Sequence, residues 1–594
     1  MTRQIISTTA LLVLGISSIS AQTKRDEVSS NSSPDTVKVI VRFRPSPDQA
    51  GFQRFVARGA QHQRFLSSIG ASVFKVNAKD LDLLAADPEV VTMTLDHPLR
   101  ATAYEGAPDY GWMTALEQPA STDQSRFDGT GIGVAVIDSG ISTVNAMNQD
   151  LRGSWGSSSR VVYSESFVPG DSSASDAYGH GTHVAGLIAG NGAASTGSQS
   201  DYDVRGIAPN VNLINLRVLD ANGEGSDSTV IAAIERAIEL KNSYNIRVIN
   251  LSLGRPVFES FAKDPLCQAV EQAWKAGMVV VVAAGNDGRN NSAGTGGYAT
   301  INAPGNDPYV ITVGAMNTED TPARSDDKIT SYSSKGPTLF DHFAKPDLVA
   351  PGNLIMSIRQ PGSTLDVQYP QNQVAQSVYL DGNNQAVGNY FLLSGTSMSA
   401  AMVSGAAALI LQRNPGLGPD TVKARLMKSA TKFAQTTSTV TDPTTGQTFT
   451  SQYDVFTIGA GYLDVPAALA TNDVVTAPAL SPVAVPDPNS NSVYLVSANS
   501  AIWGSSAIWG SSAIWGSSAI WGSSAIWGSS AIWGSSAIWG SSAIWGSSAI
   551  WGSSAIWGSS AIWGSSAIWG SSAIWGSSVI WGSSVENISI GGDK

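Results

Sequence analysis

Hydrophobic and polar residues alternate near the amino terminus, at Val37–Arg44, in a pattern typical of a half-buried β-strand. The next stretch, Asp48–Leu66, places its aromatic residues on one stripe and predicts a helix. Three shorter segments then predict a strand, a helix and a strand, at Val73–Val76, Ala78–Ala86 and Val90–Leu95. The order β-α-β-α-β predicts a compact two-layer α+β unit.

A second pattern runs from Gly131 to Leu469, where continuous apolar runs alternate with helical periodicity. Apolar runs of this kind are typical of parallel strands that are buried on both faces. The predicted strands are Val134–Ile137, Leu213–Leu219, Val248–Leu253, Val279–Ala284 and Val310–Val313. The predicted helices are Ser228–Asn242, Pro265–Ala276 and Ser399–Gln412. The alternation predicts an α/β layered domain with a largely parallel sheet.

The first residues have the pattern of a secretion signal. Arg3 is followed by the apolar run Ala10–Ile16 and by small residues at Ser20-Ala21, so residues 1–21 are predicted to be a signal peptide. The apolar run is too short to be a permanent membrane anchor. Towards the other end, residues 471–499 are rich in Pro, Ala and Val and indicate a linker or a last irregular pass over the surface.

Residues 500–584 repeat the hexapeptide Ala-Ile-Trp-Gly-Ser-Ser, with tryptophan at every sixth position from Trp503 to Trp581, and residues 585–594 form a short tail. Six residues equal three strand periods and no helical period. Hexapeptide repeats are typical of parallel β-helices, so a β-solenoid is one interpretation. A disordered low-complexity tail is the second, and self-assembly or membrane contact is the third.

Composition narrows the classes of partner. The net charge is −12 and 14 % of residues are charged, without a basic cluster that would neutralise phosphates, so a nucleic-acid partner is not expected. Cys267 is the single cysteine, which excludes an intrachain disulfide. Its helical surroundings predict a small buried apolar residue.

Three short segments carry residue types that nucleophilic catalysis needs. One apolar run ends in Asp138, His180 begins a helix of small residues, and Ser397 begins an apolar helix. A serine hydroxyl is a weak nucleophile, so it needs a base that removes its proton. The base in turn needs a partner that fixes its tautomer and stabilises its cation.

These segments resemble those of the subtilisin family, in which Asp, His and Ser follow one another in this order along the chain. The resemblance covers about residues 37–469. It implies that Asp138 orients His180, that His180 acts as general base and then as general acid, and that Ser397 is the nucleophile. The start of a helix also directs backbone N–H groups and the positive end of the helix dipole towards an oxyanion.

The resemblance further implies an oxyanion hole and a substrate groove. Val279–Gly288 is similar to the family strand that ends in an oxyanion-hole asparagine, here Asn286, which acts beside the Ser397 backbone N–H. The groove is implied to pair with an extended peptide. Asn302, before an expected cis Pro304, is implied to lie near the base of the S1 pocket, which favours medium or polar P1 side chains. The residues implied to bind substrate are Ser252, Leu253, Gly254, Ala284, Gly285 and Asn302.

Residues 22–104 resemble the family's inhibitory propeptide, of inhibitor I9 type with a ferredoxin-like fold, and residues 105–470 resemble the peptidase domain. Autoprocessing is implied between about His97 and Pro108. The predicted function is a secreted serine endopeptidase that acts on polypeptides through an acyl-enzyme and is inhibited and chaperoned by its own propeptide. The alternative is a surface adhesion or self-assembly protein, in which the protease domain serves only maturation and the repeat contacts the cell surface, carbohydrate or itself.

No cofactor is required for this chemistry. Calcium is a common structural ion in the family, but its site cannot be assigned residue by residue here. Asp201 and Asp203 offer oxygen ligands, although a solvated loop is the preferred interpretation of their segment. His183 is interpreted as a packed histidine behind His180, because no HExxH-type pattern accompanies the pair.

Overall fold

The computed structural model describes residues 36–44, 50–101, 127–142, 146–153, 158–196, 203–292, 294–319, 321, 324–380, 388–433, 435–442, 446–486 and 493–496. These residues divide into two compact units. The smaller unit comprises described residues up to Phe65 together with Ser72–Leu95, and the larger unit comprises the remainder. The predicted signal peptide and the tryptophan repeat lie outside the described residues.

The smaller unit combines a four-stranded sheet with two helices. The strands are β1 (Thr36–Phe43), β2 (Gln61–Leu66), β3 (Ala71–Asn77) and β4 (Val90–Leu95), and they pair in the order β2-β3-β1-β4. The helices are α1 (Ala50–Ala57) and α2 (Leu81–Ala85). Its core joins buried side chains of both layers, among them Val39, Val41, Phe55, Phe74, Val76 and Leu84.

The predicted helix Asp48–Leu66 is wrong in its second half. The helix ends at Ala57, Gly59 adopts a φ of 86°, and Gln61–Leu66 forms β2. Glycine takes this left-handed conformation without a steric penalty, so it ends the helix and redirects the chain. Only Leu66 of β2 is buried, so the strand carries no hydrophobic alternation that would reveal it in the sequence.

The larger unit contains the remaining elements. Its strands are β5 (Pro98–Ala101), β6 (Gly133–Asp138), β7 (Val161–Ser166), β8 (Asn212–Arg217), β9 (Glu224–Ser226), β10 (Ile246–Leu251), β11 (Leu253–Gly254), β12 (Val279–Ala283), β13 (Ile311–Asn317), β14 (Lys328–Ile329), β15 (Leu348–Pro351), β16 (Ile355–Ile358), β17 (Gln373–Val374), β18 (Tyr390–Leu393), β19 (Thr437–Thr441), β20 (Thr448–Gln452), β21 (Val483–Pro486) and β22 (Val493–Val496). Its helices are α3 (His180–Ala189), α4 (Asp227–Tyr244), α5 (Pro265–Lys275), α6 (Thr364–Gln368), α7 (Thr396–Arg413), α8 (Pro419–Ser429) and α9 (Val465–Ala470).

An eight-stranded sheet forms the centre of the larger unit. Its strand order is β14-β13-β12-β10-β6-β8-β7, with β15 also paired to β13, and every pair except β13–β14 is parallel. Strands β6 and β12 are buried along their whole length, as their continuous apolar sequences require. The predicted α/β fold with a largely parallel sheet is confirmed.

Two helices of this unit carry residues of the predicted site in their first turns. Helix α3 is buried from His180 to Ala189, and α7 is buried from Thr396 to Leu411. A helix that is apolar on all sides belongs in the interior. Helix α7 packs against β10, β12 and β13, and α3 packs against α7.

The segment predicted as a linker or surface pass contacts the larger unit over its first part. Ala479 and Ala484 are buried, and the Ala344 backbone N–H donates to the carbonyl of Pro482 at 2.8 Å. Strands β21 and β22 then form an antiparallel hairpin. Within the described ranges, no helix is long and apolar enough to cross a membrane.

Candidate active site

Asp138 and His180 meet in the interior of the larger unit. Asp138 is the last residue of β6, and His180 is the first residue of α3. The Nδ1 atom of His180 lies 2.8 Å from Asp138 Oδ1, and both side chains are fully buried. An ionised carboxylate only accepts hydrogen bonds, so Nδ1 is the donor in this pair. Among the described residues, His180 Nε2 has no hydrogen-bond partner.

A second buried carboxylate, which the sequence did not single out, shapes the start of α3. Asp176 accepts hydrogen bonds from the backbone N–H groups of Gly179 and Thr182 at 2.7 and 2.8 Å, and from Ser139 Oγ at 2.8 Å. Burial raises the pKa of Asp176, against the effect of these hydrogen bonds. Since Ser139 follows Asp138 directly, Asp176 connects the end of β6 to the helix that carries His180. The only sequence signal is an acidic residue just before the histidine motif.

His183 lies on the same helix and has a structural environment. Its Nε2 donates to the carbonyls of Ile355 and Phe391, at 3.1 and 3.0 Å. Burial, together with the neighbouring imidazole of His180, lowers the pKa of His183 to about 3. It is therefore a neutral packed histidine, in agreement with the sequence prediction.

Ser397 lies in the first turn of α7 and is tied to Ser252 by two reciprocal hydrogen bonds. Ser397 Oγ donates to the Ser252 carbonyl at 3.0 Å, and Ser252 Oγ donates to the Ser397 carbonyl at 2.9 Å. Both residues are fully buried. Ser252 directly follows β10 and precedes β11, so these bonds fix Ser397 beside that strand segment.

The carboxamide of Asn286 is oriented by the residue that precedes Ser397. Asn286 Oδ1 accepts from the Thr396 backbone N–H at 3.0 Å and from Thr396 Oγ1 at 3.1 Å. Thr396 Oγ1 also accepts from the Gly285 N–H, at 3.1 Å. Because the oxygen of the amide is held in this way, its Nδ2 donor group lies at the opposite end. Sequence reasoning missed Thr396, whose role depends on contacts between distant segments.

An extended segment of the chain itself lies against the predicted substrate residues. Strand β5 pairs antiparallel with β11, Ala101 opposite Leu253 and Arg100 opposite Gly254. On its other side β5 pairs antiparallel with β9. The side chain of Leu99 is buried, whereas that of Arg100 is exposed and pairs with Glu224. The β11 residues thus bind an extended backbone through main-chain hydrogen bonds.

The remaining predicted residues form a neighbouring recess. The Asn302 N–H donates to the Ala284 carbonyl at 3.0 Å, and the Asn302 side chain lies against Gly254 and Gly285. A Cβ atom at Gly285 would approach Asn302 Nδ2 to 2.7 Å, so only glycine fits there. The Ala303–Pro304 peptide bond is cis, as expected.

Asp287 is the titratable group beside this recess. Desolvation by the surrounding protein raises the pKa of its carboxyl group, and a hydrogen bond from Asn302 opposes that effect. Of the two aspartates considered as calcium ligands, Asp203 pairs with Arg205 at 2.6 Å, and Asp201 lies outside the described residues. In the part of the chain that the structure describes, no group of three or more His, Cys, Asp or Glu residues is arranged to hold a metal ion.

The larger unit thus combines a layered α/β fold with a buried pair of Asp138 and His180. The model of the subtilase family, peptidase S8, matches residues 129–452, which is more than half of the chain. The chain therefore belongs to the subtilase family.

Individual relatives agree with this assignment. Serine protease AprX of Bacillus subtilis is 38 % identical over 310 residues, which cover 51 % of this chain and 62 % of AprX. Subtilisin DY of Bacillus licheniformis is 35 % identical over 307 residues, covering 52 % of this chain and 86 % of that protein. The crystal structure of fervidolysin from Fervidobacterium pennivorans, a keratinolytic enzyme related to subtilisin, shares the fold with a TM-score of 0.54 and 20 % identity, over 77 % of this chain and 64 % of fervidolysin.

Proposed function

We propose that this protein is a secreted serine endopeptidase that hydrolyses polypeptides with Asp138, His180 and Ser397 as its catalytic triad. The observation that carries the proposal is the pairing of β5 with β11, directly beside the Ser252–Ser397 hydrogen bonds. It indicates how an extended polypeptide lies next to the nucleophile. Membership of the subtilase family supports the reaction class.

In the proposed reaction, Ser397 Oγ bonds to the carbonyl carbon of the scissile peptide while its proton passes to His180 Nε2. Asp138 stabilises the imidazolium through the 2.8 Å hydrogen bond to Nδ1. The C–N bond then breaks, and the Nε2 proton goes to the leaving amine. Water, deprotonated by Nε2, hydrolyses the acyl ester and restores the hydroxyl of Ser397.

Negative charge develops on the carbonyl oxygen during both steps. The proposed donors are Asn286 Nδ2 and the Ser397 backbone N–H, which lies at the positive end of α7. Thr396 supports this role because it holds the oxygen of the Asn286 amide. The donors are therefore set in place before charge develops, which is the condition for strong electrostatic stabilisation.

The register of β5 also supports a processing site. Ala101 lies opposite Leu253, which directly follows Ser252, the partner of Ser397. We propose that the protein cleaves itself soon after Ala101, within the predicted interval from His97 to Pro108. The propeptide predicted at residues 22–104 then acts as an inhibitor, and the segment Leu99–Ala101 occupies the groove as part of the product.

The S1 preference follows from the proposed recess. Asn302 fills the space between Gly254 and Gly285, so we propose that the pocket accepts medium or polar P1 residues. Asn302→Gly should deepen the pocket and raise kcat/KM for large apolar P1 residues on the order of tenfold. A P1-varied peptide library measures the change, with Asn245→Gly, at an exposed left-handed position, as the control. An unchanged profile contradicts this assignment.

The central test is Ser397→Ala in the full-length chain. The variant is expected to accumulate as an unprocessed precursor without peptide hydrolysis, as read by intact mass, N-terminal sequencing and casein digestion. The matched control is Ser399→Ala, which removes a buried hydroxyl from the same helix turn, one that donates to the Ala350 and Pro351 carbonyls. Self-processing by Ser397→Ala, or turnover equal to that of the parent, overturns the triad assignment.

A further inference from the structure

A chain of polar side chains crosses the interface between α7 and β10, which is otherwise made of small and apolar residues. Ser404 Oγ donates to Asn250 Oδ1 at 2.8 Å, and Asn250 Nδ2 donates to Ser252 Oγ at 2.9 Å. Ser252 Oγ donates to the Ser397 carbonyl at 2.9 Å. All four residues are fully buried. Their hydrogen bonds form one continuous path from the interior of the helix to Ser397.

The spacing of these residues along the strand and the helix allows the hydrogen bonds to form. Asn250 and Ser252 are two residues apart, so both face the same side of the strand segment. Ser397 and Ser404 are seven residues apart, which places them on one helix face about 10 Å apart along the axis. The strand thus holds α7 at two points, one at its first turn and one two turns later. Two points fix both the rotation and the axial position of a helix, whereas one point fixes neither.

Buried polar groups carry a desolvation cost, and apolar side chains of similar volume pack such an interface at least as well. A polar path in this position therefore contributes more to defining one arrangement than to stability. The two elements that it joins are the helix that bears Ser397 and the strand segment whose continuation, β11, pairs with β5. The arrangement that it defines is the position of the nucleophile relative to the peptide backbone.

We propose that Asn250 and Ser404 are positioning residues for Ser397, which hold its hydroxyl and backbone N–H in register with the scissile carbonyl. The proposal rests on the proposed function. It assigns to Ser404, two turns from the reacting atoms, an effect on the acylation rate that passes through Asn250 and Ser252. A misplacement of about 1 Å in a reacting pair costs on the order of 10²-fold in rate.

The test is the double variant Asn250→Leu/Ser404→Ala, which replaces both polar groups by apolar ones and leaves no unpaired partner between them. Expected is a fall in kcat of about 10- to 100-fold for a peptide amide substrate, with KM within about twofold and an unchanged melting temperature. If the two side chains had only a structural role, kcat would stay at the parent value, since this exchange preserves packing. Parent-like kcat in the folded double variant therefore overturns the proposal.

A second pair of variants keeps the test decisive if the double variant does not fold. Ser404→Ala should lower kcat, and Ser404→Thr, which retains the hydroxyl, should restore it. Ser399→Ala serves as the matched control, because its hydroxyl is equally buried on α7 but donates to Ala350 and Pro351 and not to this path. Equal kcat for Ser404→Ala, Ser399→Ala and the parent refutes the positioning role. Absence of hydrolysis in the parent chain refutes the proposed function instead.

Discussion

We expect the imidazole of His97 to make the docking of the segment Asp96–Ala101 sensitive to acid. The ring is buried and stacks on Phe258 at a centroid distance of 4.3 Å, and the His97 carbonyl accepts from the Asp227 N–H at 2.9 Å. The guanidinium of Arg255 lies over the same Phe258 ring, at 5.4 Å. Burial, and then the charge of Arg255, lower the pKa of His97 from 6.5 to about 4.

The acidic groups around Arg255 counteract this effect only in part. Arg255 forms hydrogen-bonded ion pairs with Asp227 and Asp264, and the Asp264 carboxylate raises the pKa of His97. Burial raises the pKa of Asp227 to about 7 despite its pairing with Arg255. Acid therefore also removes negative charge from the neighbourhood of Arg255, which makes a second positive charge on His97 still less favourable.

The magnitude follows from the linkage between protonation and docking. Because the docked pKa is lower than the free one, docking is fully favourable above pH 6.5 and weakens as pH falls towards 4. At pH 5 the equilibrium constant for docking is lower by about 30-fold, which corresponds to about 2 kcal/mol. The loss of docking free energy approaches about 3.4 kcal/mol below pH 4.

The assay uses the autoprocessed protein, prepared at pH 8 with its propeptide bound. Samples are incubated between pH 8 and pH 4.5, and the appearance of activity towards a chromogenic peptide is then read at pH 8. Activation should accelerate as pH falls through 6.5, and His97→Leu, which retains an apolar contact with Phe258, should flatten the profile. His342→Asn is the control, since His342 is an exposed histidine whose φ of 56° asparagine tolerates. Equal acid acceleration in His97→Leu refutes the reasoning.

Three further predictions follow from the site, the core and the tail. Asn286→Ala should lower kcat by about 10²- to 10³-fold at similar KM, the loss known for the oxyanion-hole asparagine of subtilisin, as measured by steady-state kinetics. Lys423→Met should destabilise the larger unit by about 3–5 kcal/mol in urea unfolding, because the ammonium of Lys423 donates to buried carbonyls at Pro308 and Val310 and pairs with Asp347 at 3.2 Å. Truncation after Asn499 should leave peptide hydrolysis intact, whereas loss of hydrolysis contradicts an independent peptidase domain.

The central strands were predictable because their residues are almost all apolar. Val134–Ile137 and Val279–Ala284 are continuous apolar runs, and the structure buries the corresponding strands on both faces. Edge elements lack that signal. Strand β7 alternates between half-buried and exposed residues, and the hairpin β19–β20 buries only three of its ten residues, so neither stands out from a loop in the sequence.

In the candidate site, too, some features were predictable from local sequence and others were not. Asp138, His180 and Ser397 lie at the end of a strand or in the first turn of a helix, so local sequence was enough to locate them as candidates. The contacts that organise them are long-range. Thr396 reaches Asn286 across 110 residues, and Ser404 reaches Asn250 across 154, so neither partner could be identified from spacing alone.

Topology explains why such distant residues converge. In a parallel sheet all carboxyl ends lie at one edge, and here β6 ends at Asp138, β10 is followed by Ser252, and β12 leads to Asn286. Strands β6, β10 and β12 are direct neighbours in the sheet. The strand order thus brings the proposed orienting carboxylate, the peptide-pairing segment and the proposed oxyanion donor to neighbouring strand ends. Only the proposed base and nucleophile lie on helices, and α3 and α7 carry them in their first turns, at the positive ends of the helix dipoles.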